Sequence, residues 1–516
     1  MTSFPTIARR SFFSLLTLAC VACSDGDAAT GATPAAAGGS TGGAGGPGAG
    51  GLSGSGGGAG VAGSAGTGGA GSPSQGGSSG GAGSSGGAGS SGSAGSSAGS
   101  AGTAGSASGG AGAGGSSGGA GGGACSVPPA IADTTTPAQA WEFHRLDPKE
   151  YATALCNDGS PGAYYLRPNT DSKRWLIFLE GGGACQDGKS CQKRWASVAG
   201  DPDAGNHDKM TTDDDAADWK NRTPAEGVFS AVAPLGELWR NANIVRVAYC
   251  SSDLWSGDAA AVPTAPESDA RHWHFRGRSI ATSVVDELMK KRGLASAADV
   301  VLAGGSAGGG GVYSLVDDIA ALVPPAARYL GMSDAGFSVD FPEMGAAPGD
   351  PTPLQSMGLD GEKTWGGRGD ASCFAGAGSD LLARARCRSG VDLLQQRQIA
   401  TPILTIVSQL DQVQLNRLKV GVRDSKKCVA PTQQERTYAL KFLDEGMVPA
   451  LSLAATEPRY SHFATYGCAH VLINGPDDRE DEWVADGVKL ADAIKAFHSD
   501  PCAPGRHVEP KNASMP

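Results

Sequence analysis

The chain has 516 residues with 81 glycines, 12 cysteines and a formal net charge of −11. This acidic balance, without any run of basic residues, argues against a nucleic-acid partner. Residues 24–124 are almost entirely Gly, Ala and Ser, and their glycines keep no three-residue period, which excludes collagen. Because such a segment has few bulky apolar side chains to bury, we predict a disordered linker over residues 24–124.

A targeting segment precedes the linker. Arg9 and Arg10 are followed by a short apolar run and then by Cys20 and Cys23. A basic start, an apolar core and small residues are typical of a secretory signal peptide, and the run is too short to span a bilayer. Residues 1–23 therefore resemble a bacterial lipoprotein signal. We expect an extracytoplasmic protein, either secreted or anchored to the outer membrane by lipid on Cys23 or Cys20, with Cys23 favoured.

After residue 124 the aromatic and charged residues of a globular protein appear. No repeat and no second linker interrupt this region, so we predict one domain over residues 125–516. It contains ten cysteines, and an even number in an exported chain indicates disulfides rather than free thiols. The spacing predicts only one pair, Cys185–Cys191, which would close a small loop.

Four short apolar runs, each followed by turn residues, predict buried strands of a parallel sheet. They cover residues 174–180, 243–250, 299–303 and 401–408. Apolar residues at helical spacing predict a helix over residues 279–291. Strands that alternate with helices indicate a layered α/β fold, in which catalytic residues gather at the carboxyl ends of the strands.

The third of these strands runs directly into Gly304-Gly305-Ser306-Ala307-Gly308, and a helical pattern follows. The segment fits G-x-S-x-G in the strand–turn–helix setting of a nucleophile elbow, where a sharp turn lifts the serine hydroxyl clear of the sheet. Gly-Ser strings also occur in the linker, but none of them follows a buried strand. Ser306 is therefore the predicted nucleophile of a serine esterase.

A serine nucleophile needs a base and an acid, and in an α/β-hydrolase the acid and then the histidine follow it in the chain. His470 and His462 have the required position, and we favour His470 because it lies in a loop beside Cys468. Asp411 directly follows the last of the four strands and is the favoured acid. Asp334, which also follows a short apolar run, is the alternative.

The oxyanion formed during acyl transfer needs hydrogen-bond donors, which are commonly backbone amides. The amide of Ala307 is the expected first donor, and the glycine turn with Gly182 and Gly183 after the first strand is the expected second. A simple tight turn is the alternative interpretation of that segment. The His-Trp-His segment at 272–274 has no nearby acidic or Cys residue to complete a metal site, so we predict neither a metal nor a cofactor.

Five segments of the chain, in order, together resemble the pectin acetylesterase/Notum family. They read CNDGSPGAYY at 156–165, LEGGGAC at 179–185, YC followed by SGD within 249–258, HFRG at 274–277 and GGSAGG at 304–309. The resemblance covers about residues 125–502. It implies an α/β-hydrolase-like fold, with a central, mostly parallel sheet, helices on both faces and several disulfides.

The same resemblance implies a metal-independent carboxylesterase with a Ser-His-Asp triad. It places Ser306 at the nucleophile, His470 in the C-terminal histidine region and Asp411 after the penultimate core strand. Ala184 stands where the family usually has Trp beside the oxyanion turn, so the identity of the substrate does not carry over. We expect the removal of short acyl groups from a polysaccharide. A long-chain acyl deacylase and an inactive surface binding protein are the alternatives.

Overall fold

The computed structural model describes residues 125–196, 207–213, 219, 223–259, 262–263, 272–422, 428, 430, 432–454, 457–476 and 483–511. The predicted signal peptide with Cys20 and Cys23 lies outside these residues, and so does the predicted linker. Within the described part, no helix has the length and apolar character needed to cross a membrane.

Nine strands of the described part form one central sheet. The strands of the described part are β1 Glu142–Arg145, β2 Ala163–Arg167, β3 Arg174–Leu179, β4 Asn243–Val247, β5 Val262–Pro263, β6 His272–Trp273, β7 Asp299–Gly305, β8 Arg328–Asp334, β9 Ile403–Ser408, β10 Tyr460–Thr465, β11 Val484–Ala485, β12 Val488–Lys489 and β13 Arg506–Val508. The order across the central sheet is β1-β2-β4-β3-β7-β8-β9-β10-β13. All pairings from β4 to β13 are parallel, and β1 and β2 extend the sheet by antiparallel pairings. The four apolar runs predicted as buried strands correspond to β3, β4, β7 and β9.

Helices connect most of the parallel strands. In the described residues they are α1 Gly188–Trp195, α2 Gly277–Lys291, α3 Ala307–Ala320, α4 Pro353–Trp365, α5 Ala371–Ala377, α6 Leu381–Arg386, α7 Gly390–Gln395, α8 Gln412–Arg417, α9 Gln433–Phe442, α10 Val448–Ala454 and α11 Leu490–Ser499. Short 3₁₀ segments cover His207–Lys209, Gly227–Phe229, Pro234–Trp239 and Leu294–Ser296, and a π-helical turn covers Leu443–Met447. The helix predicted over 279–291 is α2, which begins two residues earlier.

Both faces of the sheet are covered, as β3 illustrates. Successive side chains of a strand point to opposite faces. Trp175, Ile177 and Leu179 enter the core that includes α2, α3, α7, α9 and α10. Leu176 and Phe178 enter a second core with α11 and the 3₁₀ segments around residues 227–239. The predicted α/β-hydrolase-like fold is confirmed: a mostly parallel sheet lies between two layers of helices.

All ten cysteines of the predicted domain are paired in disulfides. The pairs are Cys125–Cys502, Cys156–Cys250, Cys185–Cys191, Cys373–Cys387 and Cys428–Cys468. The pair predicted from its short spacing is among them. Since disulfides persist in oxidising compartments, five of them indicate an extracytoplasmic protein.

Candidate active site

Ser306 occupies a sharp turn between β7 and α3. Its backbone has φ 55° and ψ −119°, a left-handed conformation that residues other than glycine rarely adopt. Such a conformation costs about 1–3 kcal/mol and persists where the surrounding structure holds it. Here the Ser306 amide donates to the Asp334 carbonyl at 2.9 Å, and the Ser306 carbonyl accepts from the Gly310 amide at 3.0 Å. The turn places Ser306 in the wall of a cavity.

The turns that follow β3 and β7 touch each other because both contain glycine. A methyl group on Gly308 would lie 1.9 Å from the Leu179 carbonyl oxygen. A methyl group on Gly181 would lie 2.6 Å from the Gly305 carbonyl oxygen and 2.9 Å from Cβ of Ser306. Any side chain at either position would displace the backbone. The start of α3 therefore packs on the end of β3, and the glycine turn lies against Ser306.

Ser306, His470 and Asp411 form a continuous hydrogen-bonded chain, although they are far apart in the sequence. His470 Nε2 lies 2.7 Å from Ser306 Oγ. His470 Nδ1 lies 2.8 Å and 2.9 Å from the two carboxylate oxygens of Asp411. These distances are those of a nucleophile, a base and an orienting acid in hydrogen-bond contact. The structure thus brings together the serine, the histidine and the aspartate that the sequence favours.

The Asp411 carboxylate and the His470 loop are held by the same turn. Asp411 is fully buried, and its side chain caps α8 by accepting from the Val413 amide at 2.8 Å. The Gln412 amide donates to the Cys468 carbonyl at 3.0 Å, two residues before His470. Cys468 is in addition disulfide-bonded. The relative position of the Asp411 carboxylate and the His470 imidazole therefore does not depend on a single hydrogen bond.

His462, the alternative base, lies in the interior of the sheet. It belongs to β10, pairs with Thr405 of β9 and is only 1 % exposed. Burial lowers the pKa of His462 to about 4, so its ring is neutral at physiological pH. In the part of the chain that the structure describes, no hydrogen bond joins it to Ser306 or Asp411.

Asp334, the alternative acid, ends β8 beside the turn of Ser306. One carboxyl oxygen accepts hydrogen bonds from the amides of Leu472 at 2.6 Å and Ile473 at 2.9 Å. The residue is fully buried, and burial raises the pKa of Asp334 to about 7 despite those two hydrogen bonds. Its side-chain hydrogen bonds therefore go to the backbone that follows His470.

Two of the three predicted oxyanion donors border the same cavity as Ser306, whereas Gly182 is not among the residues that line it. Gly183 and Ala307 both line it. The Gly183 carbonyl accepts from the Tyr249 hydroxyl at 2.7 Å, and the Gly182 carbonyl accepts from the Arg194 guanidinium. Because side chains hold both carbonyl groups, the glycine turn has a defined conformation beside Ala307, which begins α3.

Glu180, directly before the glycine turn, is a buried charged residue next to the site to which the sequence interpretation assigned no role. One carboxylate oxygen contacts Lys209 and Arg246, and the other accepts from the Tyr249 amide at 3.0 Å. Its backbone carbonyl accepts from the indole N–H of Trp255 at 2.9 Å. Burial alone would raise the pKa of Glu180, but the two cations outweigh it and lower the pKa to about 2. The available signal was a charged residue at the end of a wholly buried strand.

A cavity of about 1000 Å³, counting its open mouth, lies in front of Ser306. Apolar side chains, mainly from α4 and α6, form one wall: Leu254, Leu354, Met357, Trp365, Leu382 and Ala385. Asp340, Arg386 and Gln414 are among the polar residues that line the rest. The sequence interpretation named none of these residues, because α4–α6 follow no strand motif.

Among the described residues, no group of three or more His, Cys, Asp or Glu side chains could hold a metal ion. The side chain of His272 in the His-Trp-His segment lies outside the described part. The His274 ring lies next to Gly159, where an added methyl group would be 3.4 Å from His274 Nε2.

A sequence profile of the pectinacetylesterase family matches residues 135–501, which include the whole of this site. The chain belongs to the pectinacetylesterase family. The family resemblance predicted from five motifs is thereby confirmed, and Ser306, Asp411 and His470 all fall within the matched region of this pectinacetylesterase-family chain.

Relatives of this family member include proteins named palmitoleoyl-protein carboxylesterase NOTUM. The Mus musculus protein is 35% identical over 218 residues, which cover 41% of this chain and 40% of the relative. The Homo sapiens protein is 34% identical over 218 residues, with the same coverage of both chains. The Schmidtea mediterranea protein is 28% identical over 301 residues, covering 56% of this chain and 52% of the relative. The matched region thus spans about half or less of each of these relatives.

Proposed function

We propose that this protein is a serine carboxylesterase in which Ser306 is the nucleophile, His470 the base and Asp411 the orienting acid. The observation that carries the proposal is the hydrogen-bonded chain from Ser306 Oγ through the imidazole to the buried carboxylate, at the edge of a cavity. Membership of the pectinacetylesterase family and the carboxylesterase names of the relatives support the same reaction class.

The geometry accounts for each proton of the reaction. Ser306 Oγ attacks the ester carbonyl carbon while His470 Nε2 takes the hydroxyl proton, and the imidazolium then protonates the departing alcohol. Water hydrolyses the acyl-enzyme by the same steps in reverse order. The Asp411 carboxylate, in contact with His470 Nδ1, keeps the other nitrogen free to accept the proton and stabilises the imidazolium.

The amides of Ala307, Gly182 and Gly183 are the proposed donors to the oxyanion. Gly183 and Ala307 border the cavity beside the serine, and the contact of the glycine turn with Ser306 keeps the two turns together. Each such donor typically contributes about 2.7–4 kcal/mol to lowering the barrier. The donors belong to backbone that is already held in the free protein, so little reorganisation accompanies the reaction.

For the substrate, we propose a short acyl ester, such as acetate, on a polysaccharide. The family description supports this class, and the open mouth of the cavity leaves room for a polymeric alcohol. A second candidate is a longer acyl ester. It is favoured by the apolar wall beside Ser306, and the NOTUM relatives are named for palmitoleoyl-protein esters. A chain-length series of p-nitrophenyl esters, from acetate to palmitate, separates the two by the position of the maximum in kcat/KM.

An inactive binding protein is the alternative from another functional class. The hydrogen-bonded chain through Ser306, His470 and Asp411 argues against it, because a binding protein does not need a serine activated in this way. Covalent labelling of Ser306 by a fluorophosphonate probe is the expected result. Absence of labelling, together with tight binding of a polysaccharide, would favour the binding protein.

We also propose that the protein is exported from a bacterium and is tethered by lipid on Cys23 or Cys20. The signal-like segment before residue 24 supports the tether, and the five disulfides support export. Mass spectrometry of the mature N-terminus distinguishes a lipidated Cys23 from a lipidated Cys20. An unmodified N-terminus further along the chain would indicate plain secretion.

Replacement of the nucleophile tests the central proposal. Ser306→Ala should lower kcat for p-nitrophenyl acetate by about a millionfold, because the attacking atom is removed. Ser314→Ala is the matched control, since Ser314 is a buried serine of α3, the helix that follows Ser306, and does not line the cavity. It should hydrolyse the ester at the wild-type rate. Equal rates from the wild type and Ser306→Ala would overturn the assignment.

A further inference from the structure

Asp334 is hydrogen-bonded to the backbone of Ser306 and to the backbone that follows His470. It ends β8 opposite Gly305, the last residue of β7. Its backbone carbonyl accepts from the amide of Ser306 at 2.9 Å. Its side chain accepts from the amides of Leu472 and Ile473, two and three residues after the histidine. One residue thus connects the turn of the serine to the loop of the imidazole.

The backbone around Asp334 allows little movement. Ala335 has φ 55°, a left-handed conformation that a residue with a side chain adopts only where it is held. A methyl group on Gly336 would lie 2.2 Å from the carbonyl carbon of Gly309 on α3. Ser333 Oγ donates to the Gly309 carbonyl at 2.9 Å. The carboxyl group is therefore presented from a segment that is packed against α3.

The charge of Asp334 is not balanced by a cation. In the described part of the chain, no Lys or Arg pairs with it, and Oδ1 is buried without a hydrogen-bond partner. The titratable groups that face it are Tyr313 from α3, Asp411 before α8 and the imidazole of His470. Burying a carboxyl group with so few partners is unfavourable. Stability alone therefore does not explain an aspartate at this position.

We propose that Asp334 is a positioning residue that sets the imidazole of His470 against Ser306. The inference rests on the serine esterase proposed above. The Asp334 side chain accepts hydrogen bonds from the amides of Leu472 and Ile473 and so holds the backbone that follows His470. The Asp334 carbonyl accepts from the Ser306 amide and holds the turn of the serine.

Two substitutions test this positioning role. Asp334→Ala removes the oxygen that accepts both hydrogen bonds, and we expect kcat for p-nitrophenyl acetate to fall about 10- to 100-fold at little-changed KM, the effect of misplacing a catalytic group by about 1 Å. Asp334→Asn keeps one acceptor oxygen and should recover most of that loss.

Asp317→Ala is the matched control. Asp317, which is partly buried, lies on α3 and accepts from the amides of Ala400 at 2.7 Å and Thr401 at 2.9 Å, away from the residues that line the cavity. Its loss should lower the thermal midpoint while leaving kcat and the pH profile as in the wild type. If Asp334→Ala keeps the wild-type kcat and pH profile, or if both alanine variants lose kcat alike, the positioning role is wrong.

A measurement that does not require activity tests the role of Asp334 independently of the proposed esterase. In ¹⁵N-histidine-labelled protein, the His470 Nδ1–H proton that faces Asp411 should give a downfield resonance in the wild type and in Asp317→Ala. The resonance should shift or broaden in Asp334→Ala. An unchanged resonance there would overturn the positioning role. A wild type that neither hydrolyses esters nor reacts with a fluorophosphonate would overturn the esterase, and the resonance would still decide the role of Asp334.

Discussion

The two sides of the cavity at Ser306 are built in different ways. One side consists of turns at the carboxyl ends of β3, β7, β8 and β9, which backbone hydrogen bonds hold in place. The other side consists of α4 to α7, linked by the Cys373–Cys387 disulfide and by ion pairs of Glu362 with Arg384 and Arg388. The sheet holds the first side in place, whereas side-chain contacts between short helices hold the second.

This difference separates chemistry from selectivity. Reacting groups must keep their distances to within a fraction of an ångström, which the ends of adjacent parallel strands can provide. A wall of apolar side chains tolerates exchange of one residue for another of similar volume at modest cost. We therefore expect substitutions at the strand ends to change kcat, and substitutions in the helical wall to change the preference among acyl chains.

The largest expected effect lies on the strand side. Asp411→Asn should lower kcat for p-nitrophenyl acetate by about 10⁴-fold, because an amide leaves the imidazole in the wrong tautomer. Asp392→Asn is the matched change on the helical side, since Asp392 lines the cavity and belongs to α7. Asp392→Asn should lower kcat less than about tenfold, because Asp392 takes no part in the hydrogen bonds that join Ser306, His470 and Asp411. Similar losses from both variants would remove the distinction between the two sides.

A smaller effect is expected at Glu180, which directly precedes the glycine turn and contacts Lys209 and Arg246. Its folded-state pKa of about 2 lies below its ordinary value, so its contribution to stability is present above about pH 4.5 and is lost as the pH falls toward 2. The shift corresponds to about 3 kcal/mol. Glu180→Gln should therefore be less stable than the wild type at pH 7 by about that amount.

Urea unfolding at pH 7 and at pH 3 measures this difference for Glu180→Gln. The difference in the free energy of unfolding between the wild type and Glu180→Gln should be smaller at pH 3, where the wild-type carboxylate begins to be protonated. A gap that does not change with pH would mean that the two cations do not stabilise the folded protein through this charge. The turn would then depend on glycine packing and hydrogen bonds alone.

The smallest effect is expected in the helical wall. Met357→Trp places a larger side chain in the cavity and so reduces its free volume. We expect kcat/KM for p-nitrophenyl octanoate to fall about tenfold, with a smaller loss for the acetate. Leu381→Trp is the control, because Leu381 on α6 is exposed and does not line the cavity. It should not alter the ratio of the two rates. Equal losses on both esters in Met357→Trp would place the acyl group elsewhere.

The sequence by itself determined the parts of the protein that depend on neighbouring residues. The strands β3, β4, β7 and β9 could be predicted because a strand covered on both faces needs a continuous apolar run. The turn at Ser306 could be predicted because the close approach of two backbones requires the glycines around it. The pair Cys185–Cys191 could be predicted because its members are only six positions apart in the chain. Each of these signals lies within about ten residues.

Only the tertiary structure decided which distant segments meet. Asp334 and Asp411 both follow apolar runs, and the sequence favours Asp411 as the acid without excluding Asp334. The order β8-β9-β10 and the path of the loop after β10 place Asp411 at His470 Nδ1 and Asp334 at the backbone beyond it. The other four disulfides, the cations around Glu180 and the helical wall likewise join residues that are far apart in the chain. Such pairings follow from the packing of the whole domain, which no local pattern of residues encodes.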